Sequence, residues 1–170
     1  MSARRLVLLR HAKAEPGRDR VPDEMRPLTT NGRNQATRVG KAFAGAGLVP
    51  DLVLVSTALR TRQTWELLSR QVDDLAADVQ LRAELYEASV ADVLDLVREA
   101  DDGVGTVLVV GHEPTMAAAA AHLAGPGSDD AALAQVRVGV PTATYSILES
   151  DSEWAAWGRS GARLLSVARP

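Results

Sequence analysis

Three short groups of residues in this chain combine fixed cations with imidazoles, a set suited to binding and reacting with an anion, phosphate above all. Arg10-His11 is the first, Arg60 within Ser56-Thr57-Ala58-Leu59-Arg60-Thr61-Arg62-Gln63-Thr64 the second, and His112 within Gly111-His112-Glu113-Pro114 the third. Each has an ordinary alternative when taken alone. Arg10-His11 could be a strand-end arginine beside a solvated histidine, Arg60 and Arg62 could lie in surface ion pairs, and His112 could cap a helix. His122, on an alanine-rich segment, reads as structural.

What gives the three groups weight is where each falls. Leu6-Val7-Leu8-Leu9, Leu52-Val53-Leu54-Val55 and Val107-Leu108-Val109-Val110 are short apolar runs of the kind that form buried parallel strands. Each run ends immediately before one of the three groups, at the carboxyl end where open α/β sheets bind ligands. Helix starts at two of these junctions would add unpaired N–H donors and a positive dipole end.

Strands and helices alternate along the chain. About twenty polar residues from Lys13 to Thr30 form a long loop of the kind that is often functional. Thr29 or Thr30 can cap a helix with Ala36, Val39 and Phe43 at helical spacing, ended by Gly45 and Gly47. A second helix is expected from about Ala58 to Arg70, and a weak strand over Val79 to Leu81. Ser89 opens a third helix, with Asp92 at a capping-box position. An alanine-rich helix follows Pro114 and closes at Gly125. Thr142–Leu148 and Trp154–Trp157 read as later strands, and residues after Gly158 are ambiguous. The expectation is one domain over 1–170, α/β in class: a three-layer α/β/α sandwich around a mostly parallel mixed sheet.

Composition narrows the function. The 170 residues are 46% hydrophobic and 24% charged, and they contain no cysteine, which rules out disulfides, thiolate chemistry and Cys-ligated metals. Three histidines are too few for a His-rich metal cluster. No segment approaches the ~20 apolar residues needed to span a bilayer, and the short N-terminal apolar stretch predicts no export, so a cytoplasmic location is expected. The net charge of −3 divides into +6 over residues 1–41 and −9 over the rest. Few aromatics and an acidic remainder speak against nucleic acid and for a local anion site.

Leu-Leu-Arg-His at 8–11, Arg-x-x-Gln-Thr at 60–64 and Gly-His-x-Pro at 111–114 resemble the histidine phosphatase superfamily, which includes phosphoglycerate mutases. Arg26-Pro27-Leu28-Thr29-Thr30-Asn31-Gly32 is closest to its short bacterial phosphohistidine phosphatases of the SixA type. The likeness runs from about Arg4 to Leu148. It implies a phosphoglycerate mutase-like sandwich, His11 as the nucleophile that becomes phosphorylated, and Arg10, Arg60 and His112 as the cradle of the phosphoryl group. Arg60 is preferred to Arg62 because the family's arginine lies three residues before the Gln. One departure is Ala12-Lys13 where many members have Gly and then Glu or Thr. Lys13 adds charge at the site mouth, either to guide substrate or merely solvated.

On this reading, neutral His11 attacks phosphorus in line, with its other ring nitrogen held by a backbone carbonyl. Nearby arginines hold its pKa down, and His112 serves as a cation or hydrogen-bond donor to the phosphoryl oxygens. No metal and no cofactor is expected. An alkoxide leaving group would need an acid, and the resemblance places it after the second helix, at Glu84 or Glu87, with Glu84 preferred. An imidazole leaving group needs an acid less. The leading expectation is therefore hydrolysis of phosphohistidine on a protein of a phosphorelay or phosphotransfer system. The alternatives are a small-molecule phosphomonoesterase and a non-catalytic phosphoprotein-binding module. A monomer without membrane or nucleic-acid partners is expected.

Overall fold

The three apolar runs form strands β1 (Arg4–Arg10), β2 (Leu52–Ser56) and β4 (Thr106–Gly111), joined by β3 (Asp78–Arg82), β5 (Tyr145–Ser150) and β6 (Arg163–Ala168). In the computed structural model, which describes residues 2–170, these strands make one sheet in the order β3-β2-β4-β1-β5-β6. β1, β2, β3 and β4 are parallel, whereas β5 runs antiparallel to both β1 and β6.

Five helices cover the two faces: α1 (Thr30–Ala46), α2 (Leu59–Ser69), α3 (Val90–Arg98), α4 (Thr115–Leu123) and α5 (Asp130–Val138). Alternation along each strand divides the core between them. Val7, Leu9, Val53, Val55, Leu108 and Val110 pack with Val39 and Phe43 of α1 and Leu68 of α2. Leu6, Leu8, Leu54, Val107 and Val109 face the other way, toward Val93, Val97, Leu123 and Val136 of α3, α4 and α5. Each fully buried Val or Leu contributes about 1.5–3 kcal/mol. A helix cap contributes only ~1 kcal/mol, so core burial drives the fold and capping trims helix ends. This is the three-layer sandwich expected from the sequence.

Local signals set the starts of α1 and α3, whereas α2 begins after Ala58 with no side-chain cap. Thr29, not Thr30, caps α1 by accepting from the Gly32 amide, and Ser89 and Asp92 form a reciprocal capping box on α3. Gly47 terminates α1 in the left-handed conformation, while Gly45 lies within its last turn.

Three expectations need correction. Trp154–Trp157 is not a strand: Trp154–Ala156 is a 3-10 turn, which brings the indoles three residues apart onto one side, stacked at 4.9 Å. β5 begins at Tyr145 and not at Thr142, because Ala143 adopts φ 57° and donates its N–H to the carbonyls of Arg10 and His11. The chain also holds α5 and the final strand β6, neither of which the sequence reading identified. Among the described residues, no helix is long and apolar enough to cross a membrane.

Candidate active site

Parallel pairing brings the three junctions together. Arg10 at the end of β1 is paired with Gly111 at the end of β4, so the next residues, His11 and His112, emerge side by side. Their rings lie 5.3 Å apart. β2 ends at Ser56, whose hydroxyl is 2.8 Å from His112 Nε2, within hydrogen-bond reach. Arg60 follows in the first turn of α2 and is 6% exposed. Arg10, His11, Arg60 and His112 line one cavity of about 430 Å³, together with Lys13, Asp23, Arg26, Tyr86, Glu87 and Glu113.

His11 is 9% exposed, and its Nδ1 is 2.7 Å from the Ala12 carbonyl oxygen. A carbonyl can only accept, so Nδ1 carries the proton and Nε2 keeps its lone pair. The sequence pointed to a backbone acceptor without identifying it; it is the next residue. The pKa of His11 is lowered to about 4, chiefly by burial, with the charges of Arg60, Arg10 and Arg26 as lesser contributions. Burial, rather than the arginines the sequence suggested, is therefore the main cause. The pKa of His112 is lowered to about 3 by burial first and then by His11 and Arg60. A ring so shifted is neutral near pH 7 and can act as a hydrogen-bond donor through an N–H.

The Arg-x-x-Gln-Thr motif now has a physical reason. Residues at i, i+3 and i+4 share one helix face. From that face of α2 Arg60 lines the cavity, Gln63 Oε1 accepts from the Leu28 amide at 2.8 Å, and Thr64 Oγ1 accepts from the Ala12 amide at 3.0 Å. Arg62 is exposed. The other end of the long loop is tied to α1: Gln35 Oε1 accepts from the Lys13 amide at 2.9 Å, and the Thr29 amide donates to the Lys13 carbonyl at 2.9 Å. Gly32 is required there, since a Cβ would lie 1.9 Å from that same carbonyl oxygen.

Arg10 donates to the Val140 carbonyl at 2.8 Å. Glu113 accepts from the amides of Ala117 and Val140, so one carboxylate fixes the start of α4 and the turn that anchors Arg10. The peptide bond between Glu113 and Pro114 is cis.

Several wall residues escaped the sequence reading. Arg26 lies in a motif the sequence had marked, but no role followed from it. Asp23 sits in a 3-10 turn, Asp23–Met25, within the long loop, where no periodic pattern points to it. Its carboxylate accepts from Arg26 and Arg60 at 2.9 and 3.0 Å and from the Tyr86 hydroxyl. These donors hold Asp23 far below the usual carboxylate range, with the Tyr86 hydrogen bond as the largest cause. The Tyr86 hydroxyl is correspondingly pushed up to about 12. Its ring meets His112 edge-on at 5.7 Å.

The preference for Glu84 over Glu87 is not met. Glu84 is exposed, lies outside the cavity and pairs with Arg82 at 3.3 Å; a hydrogen bond from its own backbone, and then Arg82, hold its carboxyl below the usual range. A 3-10 turn over Ala83–Leu85 turns Glu84 outward and brings Tyr86 and Glu87 to the wall. Lys13 is exposed at the cavity mouth. His122 lies on α4, away from this cavity.

Comparison with known proteins agrees with this geometry. The model of the histidine phosphatase superfamily (branch 1) matches residues 6–101. A solved structure from Nakamurella multipartitia, named for the phosphohistidine phosphatase SixA, superposes with a TM-score of 0.86 at 36% identity, covering 100% of this chain and 98% of that one. An uncharacterized protein of Mycobacterium tuberculosis (strain H37Rv) is 37% identical over 86% of this chain and 90% of its own. Phosphohistidine phosphatase SixA of Escherichia coli (strain K12) is 30% identical over 69% of this chain and 73% of its own. With matching sequence, matching fold and the motif residues gathered in one cavity, the chain belongs to branch 1 of the histidine phosphatase superfamily.

Proposed function

We propose that this chain hydrolyses phosphohistidine on a protein, through a phospho-His11 intermediate and without a metal ion. The observation that carries the reading is the fixed tautomer of His11: Nδ1–H is held by Ala12 O, which leaves a lone pair on Nε2 of a ring kept neutral by burial. Nε2 attacks phosphorus, and the bond from phosphorus to the substrate imidazole breaks. That imidazole leaves as a neutral base when its other nitrogen carries a proton, so no acid is needed. Water then attacks phospho-His11, the phosphorus–Nε2 bond breaks, and the water proton is released with phosphate. His11 returns to its starting tautomer with the Ala12 hydrogen bond intact.

Phosphoryl transfer rests mainly on positioning and charge. Arg10, Arg60 and Arg26 supply fixed positive charge around the site, and His112, whose Nε2 is paired with the Ser56 hydroxyl, supplies an adjustable donor. A phosphoryl dianion seated there favours the protonated form of His112, offsetting part of the burial effect.

A macromolecular substrate is supported by the mouth of the cavity, where Lys13, Asp23 and Glu87 are all exposed. The names of the SixA relatives point the same way. Glu87 on the wall favours a second reading, a small-molecule phosphomonoesterase with Glu87 protonating the leaving oxygen. Phosphate release from a phosphohistidine-bearing protein, run beside a panel of phosphomonoesters with His11→Ala as blank, separates the two. Fast release from the phosphoprotein with feeble ester cleavage is expected, and the reverse profile would establish the esterase.

A further inference from the structure

Asp23 stands at the centre of the cavity's cationic side although no motif marks it. Its Oδ1 accepts from Arg26 Nε and Nη2, both at 2.9 Å, and its Oδ2 accepts from Arg60 Nη2 at 3.0 Å and from the Tyr86 hydroxyl. Its main-chain carbonyl accepts from Arg60 Nη1 at 2.9 Å. One residue thereby grips Arg60 through both terminal nitrogens and joins it to Arg26 and Tyr86. A guanidinium has five N–H donors, so this grip leaves one N–H on each terminal nitrogen uncommitted. The buried Nε of Arg60 has no partner in the protein. Tyr86 completes the arrangement, with Arg60 Cζ 5.9 Å from its ring centre and His112 against its edge.

An anion in this place has two opposed effects. It repels an incoming phosphoryl group, and it aligns the cations that must meet that group. Four cationic side chains line the cavity (Arg10, Lys13, Arg26 and Arg60) against three carboxylates (Asp23, Glu87 and Glu113), so the sign of the charge stays positive with Asp23 in place. Arg60 has a long flexible side chain whose alignment would otherwise be left to each binding event. Two guanidinium groups as close as Arg26 and Arg60 also repel unless an anion bridges them.

We propose that Asp23 is a positioning residue for phosphoryl transfer, holding Arg60 and Arg26 in the orientation that stabilises the transition state. The proposal rests on the phosphatase reading above. Because Asp23 acts through Arg60, its effect falls on kcat more than on ground-state binding.

The test compares wild type, Asp23→Ala and the near-isosteric Asp23→Asn, each also combined with Arg60→Lys. The readouts are turnover of a phosphohistidine-bearing protein and binding of inorganic phosphate by calorimetry. Asp23→Ala is expected to lower kcat by about 10- to 100-fold, as small misplacements of catalytic groups do, with phosphate affinity changed far less. Asp23→Asn, which keeps the main-chain carbonyl and one side-chain acceptor, should fall between. In the Arg60→Lys background the same Asp23 changes should cost little more, because their target is already gone. Unchanged or raised kcat in Asp23→Ala and Asp23→Asn overturns the proposal, as does a loss that adds in full to that of Arg60→Lys. If wild type neither turns over phosphoprotein nor binds phosphate, the phosphatase reading falls and this proposal with it. Turnover by wild type with equal turnover by the variants sinks the proposal alone.

Discussion

Thr64 Oγ1 accepts the Ala12 amide at 3.0 Å, so the residue after His11 is tied to the helix that carries Arg60. The same hydroxyl donates to the Arg60 carbonyl at 2.7 Å, and Thr64 is fully buried. Ala12 in turn accepts the His11 Nδ1–H. A single threonine therefore couples the tautomer-fixing carbonyl to α2.

Replacing Thr64 with valine keeps the shape and removes the acceptor. The buried Ala12 N–H is left without a partner, which costs about 1–3 kcal/mol. Denaturant titration should place the loss in that range, and kcat should fall as the His11–Ala12 segment loosens. A variant as stable and active as wild type would mean that this hydrogen bond carries neither role.

Gly32→Ala tests the close approach at the start of α1. In an ordinary helix that change stabilises by about 1 kcal/mol. Here the added Cβ would lie 1.9 Å from the Lys13 carbonyl oxygen, a main-chain atom that cannot swing aside. Overpacking of this kind costs about 1–3 kcal/mol or more, so thermal melting should show net destabilisation. A raised melting temperature would contradict the packing described.

These two contacts also mark what the sequence could convey. The apolar runs ending at Leu9, Val55 and Val110 form three parallel strands, and strand ends in register sufficed to bring Arg10, His11, Arg60 and His112 together. Asp23 and Tyr86 were illegible for a physical reason: they meet across 63 residues through a polar loop without periodicity. Glu84 was preferred to Glu87 because a 3-10 turn of three residues, which redirects both side chains, leaves no pattern in so short a span. α5 was missed because only Ala132 and Val136 of its nine residues are buried, too few to form a visible apolar face.

The two glutamates are separable by mutation. Glu84 is exposed and paired with Arg82, and exposed pairs contribute little. Glu84→Gln should leave kcat/KM on any phosphomonoester within about twofold, as surface changes away from a site usually do. Glu87→Gln should lower ester cleavage and spare phosphohistidine cleavage, since only an alkoxide requires an acid. Loss of activity in Glu84→Gln with none in Glu87→Gln would reverse the assignment.

Stability should depend on pH through the histidines. His11 titrates at about 4 and His112 at about 3 in the folded chain, against about 6.5 when unfolded. Between those values the unfolded chain binds more protons, so stability rises with pH through the window and falls on acidification from 6.5 toward 4. The slope for His11 reaches about 1.4 kcal/mol per pH unit within it. Urea midpoints at pH 7.5 and 5.0 should differ accordingly, and the combined His11→Gln, His112→Gln variant should lose most of that difference. Activity, which requires neutral His11, should hold down to about pH 5. An acid limb centred near 6.5 would show that His11 is not shielded as described.

The central claim is that His11 Nε2 becomes phosphorylated during turnover. Rapid mixing with a phosphohistidine-bearing protein, alkaline quenching and mass spectrometry of the peptide holding His11 measures that directly. The expected result is a transient, acid-labile phosphoryl group on His11, present in wild type and absent in His11→Ala. Turnover at the wild-type rate with no phosphorylated His11 at any time point, or with the label elsewhere, would contradict the mechanism.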